Sequence, residues 1–260
     1  MPPGEEDEFR RLVADATTQK FSGWDFAWLQ GRLVEEAPPW DYSKEVAKEL
    51  PGVDSLLDLG TGGGELLSSL GSLPRRTFAN EGYPPNALIA RDRLRRLGID
   101  VVRTYADDNT AKPQAGALPF RTGSLGLVID RHESFVAAEV YRVLKKRGVF
   151  LTQQAGSSSY PELGEFLGAL KGEQVWDLDM ARRQISEAGL IVTEGQEARL
   201  SAWFKDVGAV VYYLLAIPWV IEGFTIEGYR DRLMELHRSI SQNGSFKVTA
   251  RRFYVRAVKR

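Results

Sequence analysis

The chain has 260 residues, 43% of them hydrophobic, and a formal net charge of −1. This length suits one large α/β domain or one domain with additions. The balanced charge gives no global attraction to nucleic acid or to an anionic membrane. The absence of cysteine excludes disulfides, thiolate metal sites and a cysteine nucleophile, and two histidines are too few for a multi-histidine site. We therefore predict no metal centre.

The first fifty residues are predicted to form an extension packed on the core. A short amphipathic helix is expected over residues 8–17, and three of the six tryptophans lie between residues 21 and 42. Large amphipathic rings favour packing of such a segment on the main domain. A second helix over residues 42–50 ends at Pro51-Gly52.

No stretch of the chain is typical of a membrane protein or of a secretory leader. The N-terminus is acidic and lacks the basic and apolar pattern of a signal peptide. The longest apolar run, residues 207–221, is short for a membrane span and contains Pro218. We expect a soluble, cytoplasmic protein without membrane association.

The most informative stretch covers residues 53–67. Val53 to Leu59 has apolar residues at four of its seven positions, with Leu56 and Leu57 adjacent, and this favours a strand buried on both faces of a parallel sheet. A loop with glycine at alternate positions follows, before a helix that begins at Glu65. Glycine permits positive φ and close approach of a ligand, and free N–H groups at the helix start favour a negative group. Because Glu65 occupies the third glycine position of the dinucleotide fingerprint, the spacing points away from that motif.

Strands and helices then alternate. Strands are predicted over residues 76–80, 99–105, 124–130 and 149–154, with helices over 84–98 and 135–144, the latter closed by Gly148. This pattern favours a doubly wound parallel sheet, in which ligands bind at the carboxyl ends of strands. Glu81 ends the second strand about 20 residues past the glycine loop, where such folds place the carboxylate that binds ribose hydroxyls. Gly82 then lets the backbone turn close to the ligand.

The C-terminal third is predicted to carry helices over residues 162–170 and 179–188 and strands over 190–193 and 199–204. Asp206 is expected to cap a helix through residue 217, and another helix covers residues 226–240. The last strand covers residues 246–258. We interpret residues 205–245 as a helical, substrate-side lid inserted into a single domain over residues 51–260.

The acid and glycines from Asp58 to Gly64 resemble the first motif of the class I S-adenosylmethionine-dependent methyltransferases. Leu118-Pro119-Phe120 and Arg142-Val143-Leu144-Lys145 resemble later motifs of that family. The resemblance implies a mostly parallel seven-stranded sheet whose last strand is antiparallel and lies between the fifth and sixth. It implies S-adenosylmethionine as cofactor and S-adenosylhomocysteine as product. The implied cofactor-binding residues are Asp58, Gly60, Thr61, Gly62, Gly64, Glu81, Gly82, Asp107 for the adenine with Asp108 next, and Arg131.

The implied reaction is methyl transfer to oxygen or nitrogen of a small molecule. His132 is the leading general base and Glu133 the substitute, although His132 is also typical of a structural histidine. The aromatic extension has an alternative role as a cover for the cofactor, with Arg32 near the cofactor carboxylate.

Three other functions stay open. The first is ribosomal RNA base methylation, but the arginines between residues 91 and 96 lack interleaved aromatics and favour a solvated face. The second is cofactor binding without catalysis, and the third is nicotinamide-dependent dehydrogenation. The sequence predicts no oligomeric state.

Overall fold

The computed structural model describes residues 4–19, 26–104, 116–157, 159–169, 176–218 and 220–260. In chain order its helices and strands are α1 Glu5–Thr18, β1 Leu33–Glu35, α2 Tyr42–Glu49, β2 Ser55–Leu59, α3 Glu65–Ser69, β3 Arg76–Asn80, α4 Pro84–Leu94, β4 Asp100–Val102, β5 Leu125–Arg131, α5 Ala137–Val143, β6 Leu144–Ala155, α6 Pro161–Leu167, α7 Leu178–Glu187, β7 Leu190–Phe204, α8 Val207–Ala216, α9 Arg230–Asn243 and β8 Phe246–Lys259.

The strands form one sheet in the order β1-β7-β8-β6-β5-β2-β3-β4. Strands β2, β3, β4, β5 and β6 pair in parallel, and β8 pairs antiparallel with β6. The predicted α/β class, the mostly parallel sheet and the position of the antiparallel last strand are confirmed. The sheet has one strand more than predicted, because β1 of the N-terminal extension pairs antiparallel with β7. A three-residue strand carries too short a pattern to be recognised in the sequence.

Several predicted element boundaries were wrong, and two of the differences change the strands of the sheet. The chain from Leu190 to Phe204 is one strand of 15 residues rather than two, because its polar middle continues as exposed strand. The predicted helix closure at Gly148 is replaced by an earlier start of β6, at Leu144. Register shifts between the pairs Leu125–Leu144 and Leu127–Val149, so the intervening basic residues form an irregularity inside the strand.

Two hydrophobic clusters lie on opposite faces of the parallel strands. Leu56, with 0% exposure, belongs to the cluster under α2, α3 and α4, while its neighbour Leu57, also 0% exposed, belongs to the cluster under α5 and α7. Successive residues of a strand point to opposite faces, so a strand covered on both sides is apolar throughout. The whole of β2 is buried, as its sequence predicts.

The chain divides into two compact units. One comprises Met1–Ala37, Gly156–Val175 and Arg199–Arg251, and the other Pro38–Ala155, Trp176–Ala198 and Arg252–Arg260. In the first unit α1 packs on α8, and Asp206 caps α8 by accepting the Ala209 N–H at 2.9 Å, as predicted. Arg32 forms a two-point ion pair with Asp206 in the same unit. The division into residues 1–50 and 51–260 and the lid role of residues 205–245 stay predictions.

Candidate functional site

The loop between β2 and α3 requires its glycines. Gly60, Gly62 and Gly64 have φ of +60°, +62° and +82°, a region that side chains disfavour. A Cβ at Gly64 would lie 2.8 Å from Cγ of the buried Leu94. At Gly62 the nearest atom to such a Cβ is Glu65 Oε2 at 3.8 Å, an ordinary van der Waals contact, so the position is not crowded.

The end of β3 holds the loop through hydrogen bonds. Asn80 accepts the Gly60 N–H at 3.1 Å with its side-chain oxygen and the Thr61 N–H at 2.9 Å with its carbonyl. Its side-chain amide donates to the carbonyl of Thr104 at 2.7 Å. Asn80 was not predicted as a site residue. The available signal was an amide at the carboxyl end of a buried strand, where an uncharged polar residue needs partners.

Glu81 is joined to the same loop. Its side chain is buried, and its two oxygens accept the Gly62 N–H at 2.9 Å and the Tyr83 N–H at 2.8 Å. Burial raises the pKa of Glu81, and the backbone donors of Tyr83, Gly62 and Gly82 oppose that rise. A carboxylate offers about four acceptor positions, so after these two bonds Glu81 retains capacity for hydroxyl donors. Gly82 follows Glu81 in the chain.

Asp58 lies beneath the loop at the end of β2. Its carboxylate is buried and accepts the Thr61 hydroxyl at 2.7 Å. Burial raises the pKa of Asp58 to about 7, against the lowering effect of the Thr61 hydrogen bond, and the negative charge of Glu81 adds to the rise. Thr61 therefore donates its hydroxyl to the Asp58 carboxylate and its backbone N–H to the Asn80 carbonyl.

A third buried carboxylate is next to the last residue of β5. Asp130 has 0% exposure and accepts hydrogen bonds from the Glu133 N–H at 3.0 Å, the Thr152 hydroxyl at 3.0 Å and the Gln154 amide at 2.9 Å. Burial raises the pKa of Asp130 well above its usual range, and the charge of Asp58 acts in the same direction. Asp130 was not predicted as a site residue, because a strand-end acid followed by Arg and His matched no binding motif.

The turn after β5 carries both predicted catalytic residues. His132 has a left-handed φ of 67°, and its N–H donates to the Gln153 carbonyl at 2.8 Å. The side chain of Glu133 lies against the glycine loop: a Cβ at position 60 would be 2.5 Å from Glu133 Oε2, so only glycine leaves room there. Arg131 ends β5 with an exposed side chain. The turn and the loop thus adjoin at the same edge of the sheet.

The surroundings of His132 weaken its basicity. Its side chain keeps access to solvent, but the protein atoms around it lower its pKa by desolvation, and the charges of Arg252 and Arg131 lower the pKa further. Its Nε2 atom lies 3.1 Å from the Gln153 side-chain nitrogen. The imidazole is therefore neutral near pH 7.

The structure thus pairs Asp58 with Thr61 and Glu81 with Gly62 by hydrogen bonds, ties Gly60 to Asn80, and brings Glu133 against Gly60. Asp107 lies outside the described residues, as does its alternative Asp108. Within the described ranges there is no group of three or more His, Asp or Glu residues able to hold a metal ion. In the same parts of the chain, no helix is long and apolar enough to cross a membrane.

No family model matches the chain. A protein-L-isoaspartate O-methyltransferase from Magnetococcus marinus is 44% identical over 55 residues, which are 21% of this chain and 24% of that protein. The similar stretch therefore spans about a quarter of the curated relative's length.

Solved structures are similar over most of the chain. A structure described as a putative methyltransferase from Bacillus halodurans has a TM-score of 0.59 at 18% identity, over 84% of this chain and 98% of that one. A chain in the complex between the Haloferax volcanii Trm112 methyltransferase activator and a putative methyltransferase has a TM-score of 0.50 at 19% identity, over 95% and 96%. At these identities the likeness is one of fold.

Proposed function

We propose that this chain, which has the fold of the class I S-adenosylmethionine-dependent methyltransferases, binds S-adenosylmethionine and transfers its methyl group to oxygen or nitrogen of a small molecule. The position of the first motif agrees with this fold, because the residues from Asp58 to Gly64 form the end of β2 and the turn that leads to α3. The individual residue roles below are proposals.

The hydrogen bond between Glu81 and the Gly62 N–H is the observation that carries the proposal. It joins the glycine loop to the acid at the end of the next strand, so a nucleoside bound at this edge meets both. The cofactor fits the groups present: the loop is not crowded at Gly62, and the buried Glu81 carboxylate has unused acceptor positions for ribose hydroxyls. Parallel-sheet folds bind nucleotides at this edge.

Each proposed residue has a role that its contacts allow. Glu81 orients the ribose, and Gly60, Gly62 and Gly64 let the cofactor approach the backbone. Asp58 keeps Thr61 and the loop in place through the 2.7 Å hydroxyl bond. S-adenosylmethionine supplies a methyl group on a sulfonium, so the protein's task is to align the acceptor and exclude water. Glu133, whose side chain lies beside Gly60, and His132, its neighbour in the same turn, remain the proposed catalytic pair.

The acceptor is proposed to be a small molecule rather than RNA. The short match to a protein named as an O-methyltransferase is compatible with an oxygen acceptor. The arginines of α4 are partly neutralised, since Arg93 pairs with Glu65 and Arg91 lies 3.6 Å from Asp92. The net charge of −1 also gives the chain no global attraction to the phosphates of RNA.

Isothermal titration calorimetry of the full chain with S-adenosylmethionine, S-adenosylhomocysteine and NAD tests this proposal. We expect binding of the first two and none of NAD. NAD binding without S-adenosylmethionine binding would overturn it in favour of a dehydrogenase.

Turnover is the second measurement. Methyl-labelled cofactor incubated with small-molecule fractions and, separately, with total RNA should label the former. Labelled RNA would favour the RNA alternative. Binding without transfer to any fraction would favour a non-catalytic S-adenosylmethionine-binding protein.

A further inference from the structure

We infer that Trp40 and Gln153 are positioning residues that hold His132 in its neutral tautomer with the proton on Nδ1. His132 then offers a hydrogen-bond donor at the site and not a proton acceptor. The tautomer follows from the contacts alone, whereas its catalytic meaning rests on the proposed function.

Trp40 fixes the orientation of the Gln153 side chain. The indole nitrogen of Trp40 lies 2.8 Å from Gln153 Oε1, and both side chains are buried, at 8% and 4% exposure. An indole N–H can only donate, so the amide oxygen must face it. The opposite amide orientation would place two donors against each other, at a site with little access to water that could separate them.

Gln153 in turn fixes the proton on His132. With its oxygen on Trp40, the amide presents its NH₂ group, which can only donate, to His132 Nε2 at 3.1 Å. Nε2 must therefore be the unprotonated acceptor, which leaves the ring proton on Nδ1. The His132 N–H bond to the Gln153 carbonyl at 2.8 Å holds the same two residues together through the backbone.

Charging the imidazole would break this arrangement. An imidazolium carries N–H at both nitrogens, so its Nε2–H would oppose the Gln153 amide. The cations Arg252 and Arg131 also disfavour the imidazolium, because they repel its positive charge. The proton acceptor beside Gly60 is then the carboxylate of Glu133 rather than the imidazole.

Nuclear magnetic resonance of the full chain labelled with ¹⁵N-histidine measures the tautomer directly. In long-range ¹H–¹⁵N correlations the nitrogen coupled to both ring carbon-bound protons is Nε2. His132→Gln removes one of the two histidine signal sets and so assigns the other to His237. We expect Nε2 of His132 to be the unprotonated nitrogen at neutral pH. A protonated Nε2 in the unaltered protein would overturn the inference.

Two variants test the relay, by which we mean the chain of hydrogen bonds from Trp40 through Gln153 to His132. Gln153→Glu places an acceptor opposite Nε2 and should shift the population toward protonated Nε2 by about tenfold or more, the scale of a hydrogen bond to a charged group. Trp40→Phe frees the amide to turn and should give a mixture of tautomers. Trp203→Phe, the same change on β7, should leave His132 as it is.

An unchanged tautomer in both folded variants would contradict the relay. Thermal unfolding shows whether each variant is folded. If only one of the two variants folds, the tautomer of His132 in that variant tests the relay. The spectra need no cofactor, so failure of S-adenosylmethionine binding would overturn the proposed function and leave the tautomer result standing.

Discussion

Replacing Glu81 with alanine tests the centre of the proposed cofactor site. The carboxylate accepts two backbone N–H groups, from Gly62 and Tyr83, and has further acceptor positions for ribose hydroxyls. A lost hydrogen bond to a charged group costs about 1.5–3 kcal/mol. Since about 1.4 kcal/mol is tenfold in affinity, Glu81→Ala should raise the Kd for S-adenosylmethionine at least about tenfold.

The same change also has a cost in folding stability. Two amide donors lose their acceptor, at about 1–3 kcal/mol for each one that stays buried. Gly62 is only half-buried and Tyr83 is exposed, so water can replace the lost acceptor, and the expected loss of unfolding free energy is about 1 kcal/mol in total. Urea unfolding measures this term, and calorimetry on the folded fraction measures affinity separately.

Asp54→Asn is the matched control. It also removes a carboxylate, but one before the first residue of β2, whereas Glu81 follows the last residue of the neighbouring strand β3. Asp54 is exposed, precedes β2 and pairs with Lys145 at 2.5 Å. Its replacement should leave cofactor affinity unchanged. Glu81→Ala with unaltered affinity for S-adenosylmethionine would refute the ribose role.

Three further changes have defined outcomes. The pKa of Asp58 is about 7 in the folded protein, against a usual 3.8, so its contribution to stability is complete below about pH 4 and is lost as the pH rises through 7. Asp58→Asn should therefore make the free energy of unfolding less dependent on pH between these values. Urea unfolding at several pH values measures this. Gly64→Ala, at φ +82° with a Cβ 2.8 Å from a buried leucine, should cost about 1–3 kcal/mol in urea unfolding, whereas Gly71→Ala, with no atom within 4 Å, should cost far less. Asp206→Ala removes the cap of α8 and the ion pair with Arg32, and should lower the midpoint of denaturant unfolding by an amount equivalent to about 1–2 kcal/mol.

The parallel half of the fold could be predicted from the sequence because its signals are local. Strand β3 begins at Arg76 and ends at Asn80, as predicted, and α4 begins at Pro84, where proline suits a first helical turn. The positive φ of Gly60, Gly62 and Gly64 follows from their residue type and spacing. Apolar runs and Gly or Pro boundaries are sufficient for such elements.

Features that depend on distant pairing could not be predicted. Strand β1 exists because Leu33 finds Phe204, 171 residues later in the chain. The bond from Trp40 to Gln153 joins residues 113 positions apart, and nothing local to either residue indicates it. Likewise the residue type of His132 suggests a general base, and only its three-dimensional surroundings, which desolvate the imidazole and bring Arg252 close to it, show that its pKa is lowered.

The distribution of buried polar groups argues for a ligand at one edge of the sheet. Burying a polar group stabilises a fold only when its hydrogen bonds are made, and a buried carboxylate is costly even then. Yet the described strands end in a cluster of buried polar side chains, at Asp58, Asn80, Glu81, Asp130, Thr152, Gln153 and Gln154. A sheet selected for stability alone would continue its apolar pattern through these positions, as β2 does over Leu56 and Leu57. The raised pKa values of Asp58 and Asp130 reflect that cost, and such clusters of perturbed carboxyl groups are typical of functional sites, which supports the proposal of a ligand site at this edge.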